Sequence, residues 1–160
     1  EDDMKRMKHV IIGLLALGMI FTMTACGSKE QTVTYQGEME ENGLKAKDTM
    51  TFSAKGDTVE KLTEVIEFDI SSFEDDVKEQ LNSVYEELAG QYNEIEGVSC
   101  KMTAEDNTIT FNIDVDTTGD AVKELTSKGL LDMAGGDGSG KISLKASEES
   151  LKSNGYTKSE

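Results

Sequence analysis

Histidine is almost absent from this sequence, which contains only His9 among its 160 residues. His9 lies in an N-terminal segment that we expect to be removed on export, so the mature chain would contain none. A chain without histidine cannot build a catalytic triad with a histidine base or a histidine-bound zinc or non-haem iron site. It also lacks the side chain that usually shuttles protons near neutral pH. Several large classes of enzyme are therefore excluded.

Basic residues are scarce as well. The chain carries 16 lysines and arginines against 32 aspartates and glutamates, for a net charge of -16. Removal of residues 1–25 takes three residues of each sign and leaves this net charge unchanged. Nucleic-acid binding depends on a basic surface that neutralises phosphates. We therefore predict that no nucleic acid is a partner.

A long apolar run is missing too. The uncharged run from Val10 to Phe21 is clearly shorter than the roughly 20 apolar residues that span a bilayer. It follows a basic segment, Met4 to His9. A short basic segment followed by a short apolar one is the order of a secretory signal peptide. We favour that reading over a permanent transmembrane helix.

Cysteine occurs twice, at Cys26 and Cys100. Met23, Thr24 and Ala25 precede Cys26 and resemble the lipobox of bacterial lipoproteins, although its first residue is more often leucine. The resemblance implies that diacylglycerol is attached to the Cys26 sulfur and that the signal peptide is cleaved between Ala25 and Cys26. Two or three acyl chains anchor a protein stably, because each buried methylene contributes about 0.8 kcal/mol. An ordinary signal peptide with an incidental cysteine is the alternative.

A sulfur held in a thioether cannot also form a disulfide, so Cys100 is left unpaired. Cys100 alternates with Val98 and Met102 at period two, and this pattern predicts a small buried residue on the core face of a strand. No neighbour in the sequence would lower the pKa of its thiol. We predict that Cys100 is buried and inert.

These observations divide the chain into a lipoprotein signal peptide (1–25), a short lipidated tether (26–31) and a single domain (32–160), whose length suits one core. Residues 1–3 precede the first methionine, so we expect translation to begin at Met4 or Met7. The predicted location is the outer face of the plasma membrane, or the outer membrane in a cell with two membranes. Gly27 is not the aspartate that retains some lipoproteins at the inner membrane.

Apolar residues at period two predict five strands, over residues 32–40, 44–54, 58–70, 97–104 and 108–116. Asn42 and Gly43 predict a tight hairpin turn. Helical spacing predicts a long amphipathic helix that ends near 93 and is capped by Ser71 or Ser72. A short helix is predicted within 120–131, and a last one is predicted to be capped by Ser147 and ended by Gly155.

The order of these elements favours an α+β fold. We expect an antiparallel β-sheet of about five to six strands, a meander plus a hairpin, with one long helix and one or two short helices packed on one face. Residues 49–69, 91–116 and 151–158, together with the lipobox, resemble the YehR-like family of small bacterial lipoproteins. The resemblance implies the same fold and surface anchoring. It implies no activity, because the family is uncharacterised, and only Cys26 carries over as a site residue.

A calcium candidate spans the end of the last predicted strand and the start of the helix after it. Asp114, Asp116, Thr118 and Asp120 stand where a calcium-binding loop places oxygen ligands. Leu125 occupies the place of the bidentate glutamate that closes such a loop. Asp114 and Asp116 are more simply explained as the solvated face of a strand.

Residues 135–141 imitate a phosphate-binding loop, with Gly135, Gly140 and Lys141 at matching positions. Ile142 stands where the magnesium-binding serine or threonine belongs. We interpret the stretch as a glycine-rich connector and predict no cofactor.

The remaining carboxylates single out no catalytic residue. The strand positions Glu60, Glu64 and Glu67 are interpreted as solvated surface. The predicted function is a non-catalytic binding or structural module in the cell envelope. Its partners are the lipid bilayer, through acylated Cys26, and a cationic partner such as a basic protein, metal ions or amines of the cell wall. The alternative is a histidine-free envelope hydrolase that uses paired carboxylates.

Overall fold

A computed structural model of the chain describes residues 29–131 and 139–159. The described residues form six strands and three helices. The strands are β1 (Glu30–Glu41), β2 (Leu44–Lys55), β3 (Thr58–Asp69), β4 (Val98–Glu105), β5 (Thr108–Asp116) and β6 (Thr157–Lys158). The helices are α1 (Asp75–Asn93), α2 (Ala121–Ser127) and α3 (Leu144–Ser153).

The six strands form one antiparallel sheet in the order β4-β5-β3-β2-β1-β6. The first three strands are the predicted meander. Asn42 and Gly43 have φ angles of 53° and 82° and form the predicted turn between β1 and β2. The pairing of β5 with β3 places β4 at one edge of the sheet.

The core lies on one face of this sheet, which we call the covered face. It carries alternate residues of each strand, such as Ala46 and Met50 of β2, and these pack with the helices in one cluster of buried residues. The rings of Phe68 on β3 and Tyr85 on α1 stack with their centroids 4.8 Å apart. The opposite face, here called the open face, carries the intervening residues, such as Lys47 of β2. The predicted fold class is confirmed.

Two predicted helix starts are wrong. Helix α1 begins at Asp75, after Glu74, rather than at a cap from Ser71 or Ser72. The backbone N–H of Ser71 instead donates to the carboxylate of Asp69 at 2.9 Å, which forms a turn before the helix.

Helix α3 also begins earlier than predicted, at Leu144. Its cap is Ser143, whose Oγ accepts from the N–H of Ala146 and donates to Asp57 at 2.7 Å. Ser147 is buried inside the helix, where its hydroxyl donates to the carbonyl of Ser143 at 2.7 Å. The predicted end is confirmed, because Gly155 has a φ of 84° and directly follows the C-cap residue Asn154.

The last described residues, Asn154 to Ser159, form what we call the C-terminal strap. Its two-residue strand β6 pairs with Tyr35 and Gln36 of β1. The N–H of Ser159 donates to the carbonyl of Thr34 at 2.8 Å. The strap therefore covers only the middle of the β1 edge.

At the other edge of the sheet, the side chain of Asn93 acts as a partner for β4. Its amide nitrogen donates to the carbonyl of Cys100 at 2.8 Å, and its Oδ1 accepts from the N–H of Cys100 at 2.7 Å. A side chain thus occupies both backbone groups that Cys100 directs away from the sheet.

Candidate functional site

Two acidic side chains lie on the covered face, within the core. Asp48 on β2 and Glu64 on β3 are both 0% exposed. The interpretation of Glu64 as solvated surface is therefore wrong. The physical reason is parity, because Glu64 stands between the buried residues Leu62 and Ile66 and points to the same side.

A tyrosine from the C-terminal strap completes this cluster. The hydroxyl of Tyr156 donates to Oδ2 of Asp48 at 2.6 Å, and the Tyr156 side chain is 6% exposed. Gly37 of β1 pairs with Asp48, and a Cβ at this glycine would lie 2.7 Å from the Tyr156 ring. Because Gly37 has no side chain, the Tyr156 ring fills the space that a side chain would occupy.

Glu64 has one polar neighbour within hydrogen-bonding range, the carboxyl group of Asp48. Neither of its oxygens accepts a bond from any donor in the described residues, and Oδ1 of Asp48 also lacks one. Two carboxylates cannot bond to each other, because an ionised carboxylate only accepts. A protonated Glu64 would donate to Asp48 and satisfy both groups. The geometry therefore favours one proton shared by the pair.

The electrostatics assign that proton to Glu64. Burial raises the pKa of Asp48 to about 6, although the donors Tyr156, Glu64 and the Thr49 backbone oppose this rise. Burial and the charge of Asp48 hold the pKa of Glu64 well above its ordinary value. Asp48 has the donors that stabilise a carboxylate, so it ionises first.

Once it ionises, Glu64 affects two further titratable groups. Burial and then this charge raise the pKa of the Tyr92 hydroxyl, which donates to the carbonyl of Leu130 at 3.2 Å. The same two causes raise the pKa of the Cys100 thiol to about 11. Cys100 lies on the covered face of β4 and is 7% exposed, which confirms its predicted burial.

The calcium candidates are held by bonds within the chain. Asp114, on the open face of β5, accepts from the Thr63 hydroxyl at 2.6 Å. Asp116 accepts from the backbone N–H of Thr118 at 2.9 Å. Asp120 lies 3.5 Å from an ammonium group, that of Lys123. Across residues 29–131 and 139–159, no group of three or more Asp, Glu, Cys or His side chains is arranged to hold a metal ion.

The predicted cleavage site, the predicted lipidation site and part of the glycine-rich connector fall outside the described residues. Ala25 and Cys26 precede residue 29, and Gly135 lies between 131 and 139. In the part that is described, Lys141 is exposed and Ile142 is buried. None of the described helices is long and apolar enough to cross a membrane.

In the part of the chain that the structure describes, the open face has a groove at each of two opposite ends of the strands. The first, which we call the distal groove, has a volume of about 600 Å³ and lies where β1 and β3 end. Its charged lining consists of Glu38, Glu40, Lys45, Lys47, Glu67 and Asp69. The second, the proximal groove, has a volume of about 550 Å³ and includes Glu60, Lys61, Asp114 and Asp116. Neither groove reaches Asp48 or Glu64.

Comparison with known proteins places the chain in a family of unknown function, and the similar proteins are named as uncharacterised lipoproteins. Residues 31–157 match the family model described as "Protein of unknown function (DUF1307)". Because this match covers most of the sequence, the chain belongs to the DUF1307 family.

Similar proteins carry names that agree with this assignment. The uncharacterised lipoprotein Lin0239 of Listeria innocua is 32% identical over 154 residues, which cover 96% of this chain and 97% of the relative. The uncharacterised lipoprotein YehR of Escherichia coli is 24% identical over 153 residues, with the same coverage. The NMR structure of E. coli YehR superposes with a TM-score of 0.60 at 22% identity, covering 83% of this chain and 93% of that one. The resemblance to the YehR-like family is confirmed.

Proposed function

We propose that this protein is an exported lipoprotein, held on a membrane by diacylglycerol on Cys26, whose domain is a non-catalytic binding module for a cationic partner in the cell envelope. The lipobox residues and the names of the relatives support the anchor. The distal groove supports the binding role, and it is the observation on which this proposal chiefly rests.

The position of the distal groove suits a protein anchored at its N-terminus. Strand β1 begins at Glu30, only four residues after Cys26, so this end of the sheet lies close to the lipid. Glu38 and Glu40 follow eight and ten residues later in the same strand. At about 3.4 Å per residue the groove lies roughly 30 Å from that end. It is therefore directed away from the membrane, where an envelope partner can reach it.

The charges of the distal groove form two rows across three strands. Glu38, Lys47 and Glu67 are cross-strand neighbours in one row. Glu40, Lys45 and Asp69 form the next row in the same way. Each row places one lysine between two acidic residues on the neighbouring strands, and the groove as a whole has an excess of negative charge. Such an arrangement attracts amines or guanidinium groups, and attracts them less at high salt.

The alternative of a hydrolase with paired carboxylates gains no support from the geometry. Asp48 and Glu64 are such a pair, but they are 0% exposed and lie among apolar side chains. Glycoside hydrolysis needs two carboxyl groups that flank a substrate bond. Both described grooves lie away from this pair.

The anchor is tested by Cys26→Ser in cells, with membrane and soluble fractions separated and lipid incorporation measured. We expect the variant to lose the lipid and to be released or incorrectly processed. Cys100→Ser is the matched control and should stay lipidated, because Cys100 is buried in the domain. Normal lipid incorporation in Cys26→Ser would contradict the anchor.

The binding role is tested on the lipidated protein in nanodiscs of zwitterionic lipid, with a lysine decapeptide as the probe. The variant Glu38→Gln/Glu67→Gln removes two groove charges, and we expect about tenfold weaker binding, at ~0.5–1 kcal/mol per charge. Glu79→Gln/Glu86→Gln removes two exposed charges from α1 and is the matched control. Equal weakening by both variants would show a general charge effect and would contradict a groove site.

A further inference from the structure

We propose that Asp48, Glu64 and Tyr156 form a proton-binding latch, in which one proton shared by the two carboxyl groups keeps the C-terminal strap closed and its loss opens the strap. The two carboxyl groups lie on adjacent strands of the covered face. Tyr156 joins them to the strap through its 2.6 Å bond to Asp48. The latch is independent of the proposed lipid anchor and of the distal groove.

The surroundings of the pair offer no compensation for a second negative charge. The titratable groups that face it are Tyr156 from the strap, Tyr92 from α1 and Cys100 from β4. All three are neutral or anionic in any protonation state. Among the described residues, no lysine or arginine lies within 4.0 Å of either carboxyl group. Two buried carboxylates without a cation are strongly unfavourable, so loss of the shared proton requires water to enter.

The strap is held more weakly than α1, the helix whose Tyr92 also faces the pair. Helix α1 has 19 residues, and four of them are buried: Leu81, Tyr85, Ala89 and Tyr92. The strap has one buried residue, Tyr156, and a strand of two residues. Segments with few buried contacts open at the lowest cost in free energy. We therefore expect water to reach the pair when the strap lifts, rather than when the helix does.

The direction of the pH dependence follows from proton binding. In the closed state the pKa values of both carboxyl groups are raised, whereas in the open state they return toward 3.8 and 4.5. The closed state thus binds more protons, and it is favoured fully below those ordinary values. It loses this advantage as the pH rises through 6 and beyond. Each proton released on opening changes the opening constant by up to tenfold per pH unit.

The test is hydrogen–deuterium exchange of the C-terminal peptide in the full mature protein between pH 5.5 and 8.5. Labelling times are scaled for the intrinsic chemical rate at each pH. The N–H of Tyr156 bonds to Leu151 and that of Ser159 to Thr34, so both report on the strap. We expect their protection to fall by up to tenfold per pH unit and to stay below that of the α1 amides at every pH, because the strap opens before the domain unfolds. Constant protection of the strap would overturn the latch.

Glu64→Gln tests the shared proton directly. The amide can donate to Asp48 at every pH, so the protection of the strap should become independent of pH. Glu67→Gln is the matched control, because it removes an exposed charge from the same strand and should keep the wild-type dependence. The same dependence in Glu64→Gln as in the wild type would overturn the latch.

A measurement on the wild-type protein keeps the proposal open to contradiction should Glu64→Gln fail to fold. The carboxyl carbon shifts of Asp48 and Glu64 are followed by NMR against pH. We expect both groups to titrate above their ordinary range, with Glu64 the later of the two. Titration of both groups near pH 4 would overturn the shared proton, and a late titration without loss of strap protection would overturn the opening.

Discussion

Acidic residues on the two faces of the sheet behave in opposite ways. On the covered face, burial raises the pKa of Asp48 and Glu64. On the open face, the Thr63 hydroxyl and Lys61 lower the pKa of Asp114, and Thr118 lowers that of Asp116. All four lie in adjoining strands of one sheet, so the residue type does not decide the effect. What decides it is burial, which outweighs the donors at Asp48 and is outweighed by them at Asp114 and Asp116.

Neighbouring residues of β3 offer the strongest test of this contrast between the faces. Ile66 is 3% exposed on the covered face, and Val65 is only partly buried on the open face. Ile66→Ala should lower the free energy of unfolding by about 2–5 kcal/mol, since it leaves a cavity in the core. Val65→Ala should cost less than about 1 kcal/mol. Urea denaturation measures both, and similar losses would mean that the open face is also packed.

The pH dependence of global stability sharpens the contrast. Raised pKa values on the covered face predict that the free energy of unfolding increases from pH 8 to pH 5, with on the order of 1 kcal/mol from Asp48 and a further increase from Glu64. Lowered pKa values of Asp114 and Asp116 predict that stability declines again as the pH falls below about 4.

Denaturation of Asp48→Asn/Glu64→Gln across the same pH range isolates the covered pair. Its increase in stability on mild acidification should be smaller than that of the wild type, because only the general relief of charge repulsion remains. Its decline below pH 4 should persist. An unchanged increase would show that the buried pair plays no part.

The space over Gly37 gives a third comparison, with an effect of intermediate size. Gly37→Ala places a methyl group 2.7 Å from the Tyr156 ring and should destabilise the protein by about 1–3 kcal/mol. Gly90→Ala is the control in α1, where a Cβ meets nothing within 4 Å. It should stabilise the protein by roughly 0.5–1 kcal/mol. Thermal unfolding distinguishes the two, and a neutral Gly37→Ala would show that the strap adapts easily.

The smallest effect is expected on the open face. Lys61 lies 3.3 Å from Asp114, and both side chains are largely in water, at 58% and 43% exposure. Lys61→Met should therefore change the free energy of unfolding by about 1 kcal/mol or less. Denaturation at low and high salt measures this effect. A loss above about 2 kcal/mol would show that the pair stabilises the fold far more than an exposed ion pair normally does.

Local patterns were sufficient to predict most of the fold. Period-two alternation located the five long strands, and Asn42 with Gly43 predicted the hairpin turn. Helix starts were less predictable, because several serines and acids near each start can serve as a cap. Ser143 was chosen over Ser147 by its bond to Asp57, which lies 86 residues away in the sequence.

The sequence carries a sign of the buried acidic cluster, which the interpretation of Glu64 as solvated surface overlooked. Asp48 interrupts the alternation of Ala46 and Met50, and Glu64 interrupts that of Leu62 and Ile66. A polar residue at a core position of each of two adjacent strands indicates a buried polar pair. Their third member was not predictable from local pattern, because Tyr156 lies 108 residues from Asp48.

The side chain of Asn93 bears on how copies of this protein behave side by side. Exposed edge strands invite pairing with the edge of another molecule. Under the proposed anchoring, copies on one membrane hold their β4 edges at the same height, and crowding in two dimensions would favour lateral polymers. Asn93 fills the backbone groups of Cys100 that such pairing would use. On a membrane crowded in this way, a single amide would help to keep the copies dispersed.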